Sequence, residues 1–552
     1  HDVSGTDSTA VSNTAFGIAA MDAITTGDDN TAVGHNAMTT QTTGARNTAL
    51  GHDALHSNTT SDDNTALGMA AMYTNTTGAN NTAVGMYALH HNATADLSTA
   101  VGFKALEDNV GTSNTALGAN SGLQNTTGAY NTALGTDSLR DNTTGDFNVA
   151  LGRAALQSNT TADSNIAIGR NAMYANTTGT RNLAIGALAY DASDTESDNI
   201  AIGHGAMSEN TAGGTKNIAI GVYAMDALTS ADNCVGIGYA ALGATTTGGN
   251  NTGVGWSTLL ANSTGDSHTA IGYNALASVT TSTGNTAVGT NAGDAITTGA
   301  SNCAVGYNCL TTLTTGSYNT AMGQDAANAM LGGSGNTAIG RNAGKDQTTG
   351  NYNVVIGHSA AANNGPMTTG SNNVIIGSYC DPDAVDAVNQ IVLGHDATGA
   401  GDNYFTFGKG HTGTNRVYND FTANANWTHS SDERFKKDIA TNTDAGLAFI
   451  NDLRTVTYKW KAPSEYDETM NAYDASDTEP SYDKKMYGFI AQEVKAAMDT
   501  HNITDFAGWH QIDNDAQDNM QGVSFEMFVM PLVKAVQELS AEVEALKAKL
   551  AD

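Results

Sequence analysis

In this chain of 552 residues, the side chains best equipped for chemistry keep to one position. His35, His52, Met69, Met86, Phe103, Arg153, Arg170, His204, Tyr239, Trp256, Tyr273, Tyr307, Arg341 and His358 each directly follow a glycine. A position that varies among imidazole, guanidinium and large aromatic groups is expected on the outside, where the plain reading is a solvated edge. Read for chemistry, His35, His52, Phe103, Arg153, Arg170, Tyr239, Trp256, Tyr273 and Tyr307 form a ladder able to stack on glycans or on neighbouring fibres. Other reactive groups promise less. Cys234, Cys303, Cys309 and Cys380 have no metal-ligand spacing and read as small buried fillers rather than disulfides. The Asp-rich turn TTGDDN and the stretch Asp381-Pro382-Asp383 could hold Ca2+, but neither is a recognised ligand loop. The sequons at Asn58 and Asn75 matter only in a secretory pathway. No pair of catalytic carboxylates stands out, and neither a metal nor a cofactor is expected.

The elements that must position these side chains follow from a period. A phrase N-T-A-(V/L/I)-G closes on Gly17, Gly34, Gly51, Gly68, Gly85 and Gly102, 17 residues apart, and the series runs on to Gly394. It has 23 markers, with slips of one residue at Gly118 and Gly221 and of three at Gly377. So short a period cannot hold a helical hairpin, and Thr, Asn and Gly are poor helix formers. Each unit has room for two short strands and two turns, which is one coil of a β-solenoid. At about 4.8 Å per strand, 23 coils predict a rod of roughly 110 Å. In each strand Ala (Ala32, Ala49, Ala66, Ala83) precedes Val or Leu (Val33, Leu50, Leu67, Val84). Neighbours on a strand point to opposite faces, so Ala fills a narrow interior and the aliphatic residue needs another cover. The simplest cover is a second copy of the chain. Three positions after the glycine, Ala37-Met38, Ala54-Leu55 and Ala71-Met72 should pack inward as a second strand or turn, and N-T-T-G stretches read as turns.

Charge narrows the partners. The net charge is −32, with 11 basic and 32 acidic residues up to residue 428. Nucleic acid is not an expected ligand for such a surface, because binding it requires phosphate neutralisation. The acidity favours solubility, as in salty water. No apolar run approaches the roughly 20 residues of a membrane span, and no signal peptide is visible. A chain that opens on His1 is expected to follow further sequence upstream.

The repeat over residues 10 to 395 resembles the left-handed β-roll heads of trimeric autotransporter adhesins, with longer units. That family ends in a membrane-anchoring barrel, whereas this chain ends in AEVEALKAKLAD, which disfavours a surface-anchored adhesin. From residue 429 the period vanishes. The stretch SSDERFKKDIATNTDAGLAFINDLRTVTYKWK (Ser430 to Lys461) leads to YGFIAQEV (Tyr487 to Val494) and a terminal helix. These motifs resemble the intramolecular chaperone domain at the C-terminus of phage endosialidases, tail fibres and other trimeric spikes, with Phe435 where Leu is commoner. The terminal helix can also be read alone. Val529, Leu532, Val536, Leu539, Val543, Leu546 and Leu550 alternate in steps of three and four, a heptad seam, although a lone amphipathic helix on a globular core would show the same stripe. The resemblance implies three strands, and a coiled coil would align three chains before their slow β-pairing. It further implies self-cleavage between Ser430 and Ser431, with Ser431 as nucleophile and Lys436 as a base whose pKa must fall from about 10.4. The plainer alternative is that Ser431 and Asp432 cap a helix containing Phe435 to Ile439, with Lys436 solvated.

The sequence thus predicts a mainly β fold. It comprises a trimeric left-handed β-solenoid of 23 repeats (1–395), a β neck (396–428), an α+β chaperone domain (429–525) and a coiled-coil helix (526–552). The expected function is a homotrimeric phage tail fibre or spike, assembled in the host cytoplasm and joined to a virion tail or baseplate protein from its N-terminal side. A host surface glycan is a candidate partner. The rivals are a cell-surface or extracellular adhesive filament with the same chaperone, and an ice-binding solenoid. The last would need a flat two-column Thr array, whereas Thr clusters in the turns.

Overall fold

A computed structural model describes residues 9–210, 213–363, 366–410, 416–420, 428–429, 436, 438–468, 473, 475–480, 484–511 and 521–551. The chain divides into two compact units, residues 1–430 and 431–552.

The first unit repeats one strand. β1 (Thr14–Phe16) pairs in parallel with β2 (Thr31–Val33), setting Thr14 beside Thr31, Ala15 beside Ala32 and Phe16 beside Val33. Each later strand pairs with the next in the same way, as far as β23 (Ile391–His395). The offset of each pairing is the sequence period, so the repeat sets the register. β24 (Tyr404–Lys409) adds one more parallel strand. β25 (Arg416–Asp420) and β26 (Thr428–His429) then turn antiparallel and close the array.

Each coil holds one strand where the sequence left room for two. The second apolar pair lies in a turn, because Asn36 (φ 57°) and Met38 (φ 49°) take left-handed backbone that breaks an extended run. Coil-to-coil bonding continues there regardless: Met38 N–H donates to Ala54 O at 3.1 Å, and Leu55 N–H to Ala71 O at 2.9 Å. Close stacking explains the marker glycine. A Cβ on Gly85 would lie 2.4 Å from the carbonyl oxygen of Gly102, and its φ of 134° suits only glycine.

The interior is narrow, as the small inward residues require. Ala32, Ala49, Ala66 and Ala83 are fully buried, together with Ala37, Met38, Leu55 and Met72. It also contains two columns of buried asparagine. In the first, Asn47 N–H donates to Asn30 Oδ1 at 2.9 Å and Asn64 N–H to Asn47 Oδ1 at 2.9 Å. Their Nδ2 groups donate to Ser61 O and Gly78 O at 2.8 and 2.9 Å. In the second, the Asn that opens each N-T-T turn points inward: Asn159 Nδ2 donates to Asn142 Oδ1 at 2.7 Å. Bonded in this way, a buried amide does not incur the penalty of an unmade hydrogen bond. Further along, apolar residues enter the second column: Leu228, Val279, Ile296, Leu313, Met330 and Met367 are fully buried there, interspersed with the buried polar Thr245, Asn262 and Gln347.

The second unit is small and mixed. α1 (Leu447–Asn451) leads to a hairpin-like pair, β27 (Val456–Tyr458) against β28 (Met486–Gly488). α2 (Ala491–Thr500) follows, then the antiparallel pair β29 (Trp509–Gln511) and β30 (Gln521–Val523), and finally α3 (Val529–Ala551). Its core gathers Phe449, Val494, Met498, Ile503 and Phe528, with the Phe449 and Phe506 rings 5.7 Å apart. No helix among the described residues is long and apolar enough to cross a membrane.

Candidate functional site

Two surfaces and one short segment concern function. The first surface is the outward face of the shaft sheet. Because the middle residue of each three-residue strand, Ala in most coils, takes the inner side, its two flanking residues both face out, one period apart along the stack. The column following Ala opens on Phe16 and is aliphatic from Val33 to Leu134, and Leu50, Leu67, Leu117 and Leu134 stay exposed. The column preceding Ala is Thr from Thr31 to Thr132. It becomes Val149, Ile166, Leu183, Ile200, Ile218 and Val235, so over these coils both columns are aliphatic. The same doubling returns at Val354, Val374 and Ile391, in the last coils of the shaft. Cys303 stands in this outward column and is half-buried, not a filler of the interior, whereas Cys234, Cys309 and Cys380 are buried. Burial pushes the Cys234 thiol up to about 11 and the Cys309 thiol to about 12, which keeps both protonated.

The second surface is α3. All seven seam residues lie on it, and each is between 40% and 87% exposed. Among its described residues only Pro531 and Ala535 are buried. Most of the stripe therefore remains open in the single chain. Where the helix meets that core, an apolar cavity of about 320 Å³ opens, lined by Ile450, Leu453, Phe489, Phe525, Phe528 and Leu532. Glu538, on the polar side of α3, accepts the Leu447 N–H at 2.7 Å and pairs with Lys534 at 3.3 Å. Both contacts hold its carboxyl below the ordinary value of 4.5, the backbone bond foremost.

The segment is the Ser–Lys pair. Ser430 and Ser431 lie outside the described residues, while Lys436 is exposed. Lys436, Asp438 and Ile439, the described residues of the stretch where the capping alternative places a helix, are not helical.

The ladder after the marker glycine is exposed at His35, His52, Phe103, Arg153, Arg170, Tyr239, Trp256, Tyr273 and Tyr307. Its rings meet one another across coils. Tyr239 and Trp256 stack with centroids 4.4 Å apart, and His35 and His52 with centroids 5.0 Å apart. A second ladder runs through His56, Tyr73 and His90, at 4.8 and 5.3 Å. Several Asp residues of the turns bind the preceding coil: Asp28, Asp62 and Asp96 each accept a backbone N–H at 2.7 Å, from Val11, Ala45 and Ala79. Asn58 and Asn75, the sequon residues, are fully buried and hydrogen-bonded, which leaves a glycan no room in the folded coil.

Sequence reasoning missed the two interior Asn columns. The signal was present, since Asn recurs at two fixed places per period, but Asn beside Thr and Gly reads first as a turn residue.

Residues 431–503 match the family model described as chaperone of endosialidase. No curated protein matches the chain.

Proposed function

We propose that this chain is a homotrimeric tail fibre or spike whose C-terminal unit aligns the three copies before the shafts zip together. The match of residues 431–503 to the endosialidase chaperone, beside a solenoid of 23 turns, supports a fibre-like protein with a trimerisation chaperone. The observation that carries the trimer is the outward apolar column, in register along the shaft and exposed or only half-buried in the single chain. Apolar surface of this extent calls for a protein cover. The exposed seam of α3 supplies the alignment, and the doubly aliphatic coils at Val354, Val374 and Ile391 are where pairing would begin. Upstream residues would join a virion tail or baseplate protein, with assembly in the host cytoplasm and host glycans as the attachment target. Deleting residues 526–552 tests the chaperone role. The shaft should then aggregate or stay unfolded, and soluble monomeric β-rods by light scattering would refute it.

Self-cleavage belongs to the same proposal. Folding must desolvate Lys436 before it can act as a base, so the Ser430–Ser431 bond should break only after assembly. Intact-mass spectrometry should find a fragment of 122 residues beginning at Ser431 (552 minus 430). Ser431→Ala and Lys436→Ala should give intact assembled chains, while Lys437→Ala still cleaves. A folded wild type that stays whole would remove the peptidase and leave the chaperone standing.

A second reading, ice binding, draws on one observation. From Thr31 to Thr132 seven successive strands set Thr beside an aliphatic residue on the outward face, in addition to the Thr of the turns. Inhibition of ice recrystallisation by the full chain would support it; growth of ice as in buffer would remove it.

A further inference from the structure

The coil stack brings His35, His52 and Asp53 together, and we infer that they form a surface site for a divalent transition-metal ion of the zinc, nickel or copper class. One ligand atom from each of the three lies within 4.8 Å of the others. The two imidazole rings are nearly parallel, with an interplanar angle of 10° and centroids 5.0 Å apart, so their nitrogens project side by side. His52 Nδ1 is 2.9 Å from Asp53 Oδ2. With the proton on that nitrogen, Nε2 keeps its lone pair for a ligand, the carboxylate–histidine arrangement that orients metal-binding imidazoles. Asp53 is itself held: Asn36 Nδ2 donates to its Oδ1 at 3.0 Å, and Asp53 N–H donates to His35 O at 3.0 Å. The carboxylate and the adjoining backbone are thus fixed across one coil-to-coil step.

The donor set suits the ion class. Two neutral imidazoles favour zinc, nickel and copper over magnesium or calcium, and the Asp53 carboxylate orients His52 rather than ligating the ion. At a metal–nitrogen distance of 2.0–2.1 Å, two imidazoles on one tetrahedral ion place their nitrogens about 3.3 Å apart. The exposed rings of His35 and His52 can close to that separation by side-chain rotation, without moving the coils. Water would complete the coordination. This departs from the sequence expectation of no metal, because ligands 17 residues apart match no ligand motif until the coil is formed.

The test is calorimetric titration of chelator-stripped full-length chain with Zn2+ alone. The wild type should bind, and His35→Ala and His52→Ala should each weaken binding tenfold or more. Asp53→Asn should weaken it about tenfold, the usual loss for an orienting partner. His90→Ala/His91→Ala, which removes two other shaft histidines, should bind like the wild type. All four variants alter partly or fully exposed side chains, and metal-free melting by circular dichroism should match the wild type. Wild-type affinity in His35→Ala and His52→Ala, loss confined to His90→Ala/His91→Ala, or no binding by the wild type at millimolar Zn2+ would each overturn the site. Unchanged affinity in Asp53→Asn would overturn the orienting role of the carboxylate.

Discussion

Ala83 and Met86 stand three residues apart and meet opposite surroundings. Ala83 is fully buried at the centre of its strand, and Met86 is exposed just beyond the marker glycine. Ala83→Asp would force an unpaired carboxylate into a space that fits one methyl group, at a cost of several kcal/mol. Met86→Asp should change stability by about half a kcal/mol or less. Melting curves of the two variants check this, and equal shifts would mean the faces are misassigned. The inward alanine was legible in the sequence because only one small apolar residue recurs there. The interior asparagines were not. Their burial depends on partners a full period away, such as Asn30 Oδ1 for the Asn47 N–H, and a linear reading sees only the neighbouring Thr and Gly. The pairing of His35 with His52 is hidden for the same reason.

At the scale of elements, the strands and the terminal helix were legible, each from its own period. The 17-residue repeat gave the parallel register directly, and the three–four spacing gave the stripe along α3 (Val529–Ala551). The number of strands per coil was not legible, because left-handed backbone at Asn36 and Met38 leaves no mark in hydrophobic patterning. α3 also meets α1 (Leu447–Asn451), through Glu538 on the Leu447 N–H. That contact is pH-dependent. The Glu538 carboxyl sits below its ordinary 4.5 in the folded unit, so its contribution is present above that pH. It is lost as the pH falls through the lower folded value. Glu538→Gln should therefore lower the melting temperature near neutrality and narrow its gap to the wild type on acidification to about pH 3. A gap that stays constant over that range would show that the charge plays no part.

At the scale of the whole molecule, the account rests on a surface that one chain leaves open. The shaft turns an aliphatic column outward in coil after coil, and α3 does the same along its seam. Both belong to a chain whose charge of −32 opposes self-association, so apolar burial must outweigh that repulsion. The most direct measurement is the solution mass of the full-length Ser431→Ala chain by light scattering coupled to size exclusion, which keeps self-cleavage from altering the result. Three chains of 56.6 kDa predict a single species of about 170 kDa, held over a wide dilution range. A folded, monodisperse species at the mass of one chain would contradict the account.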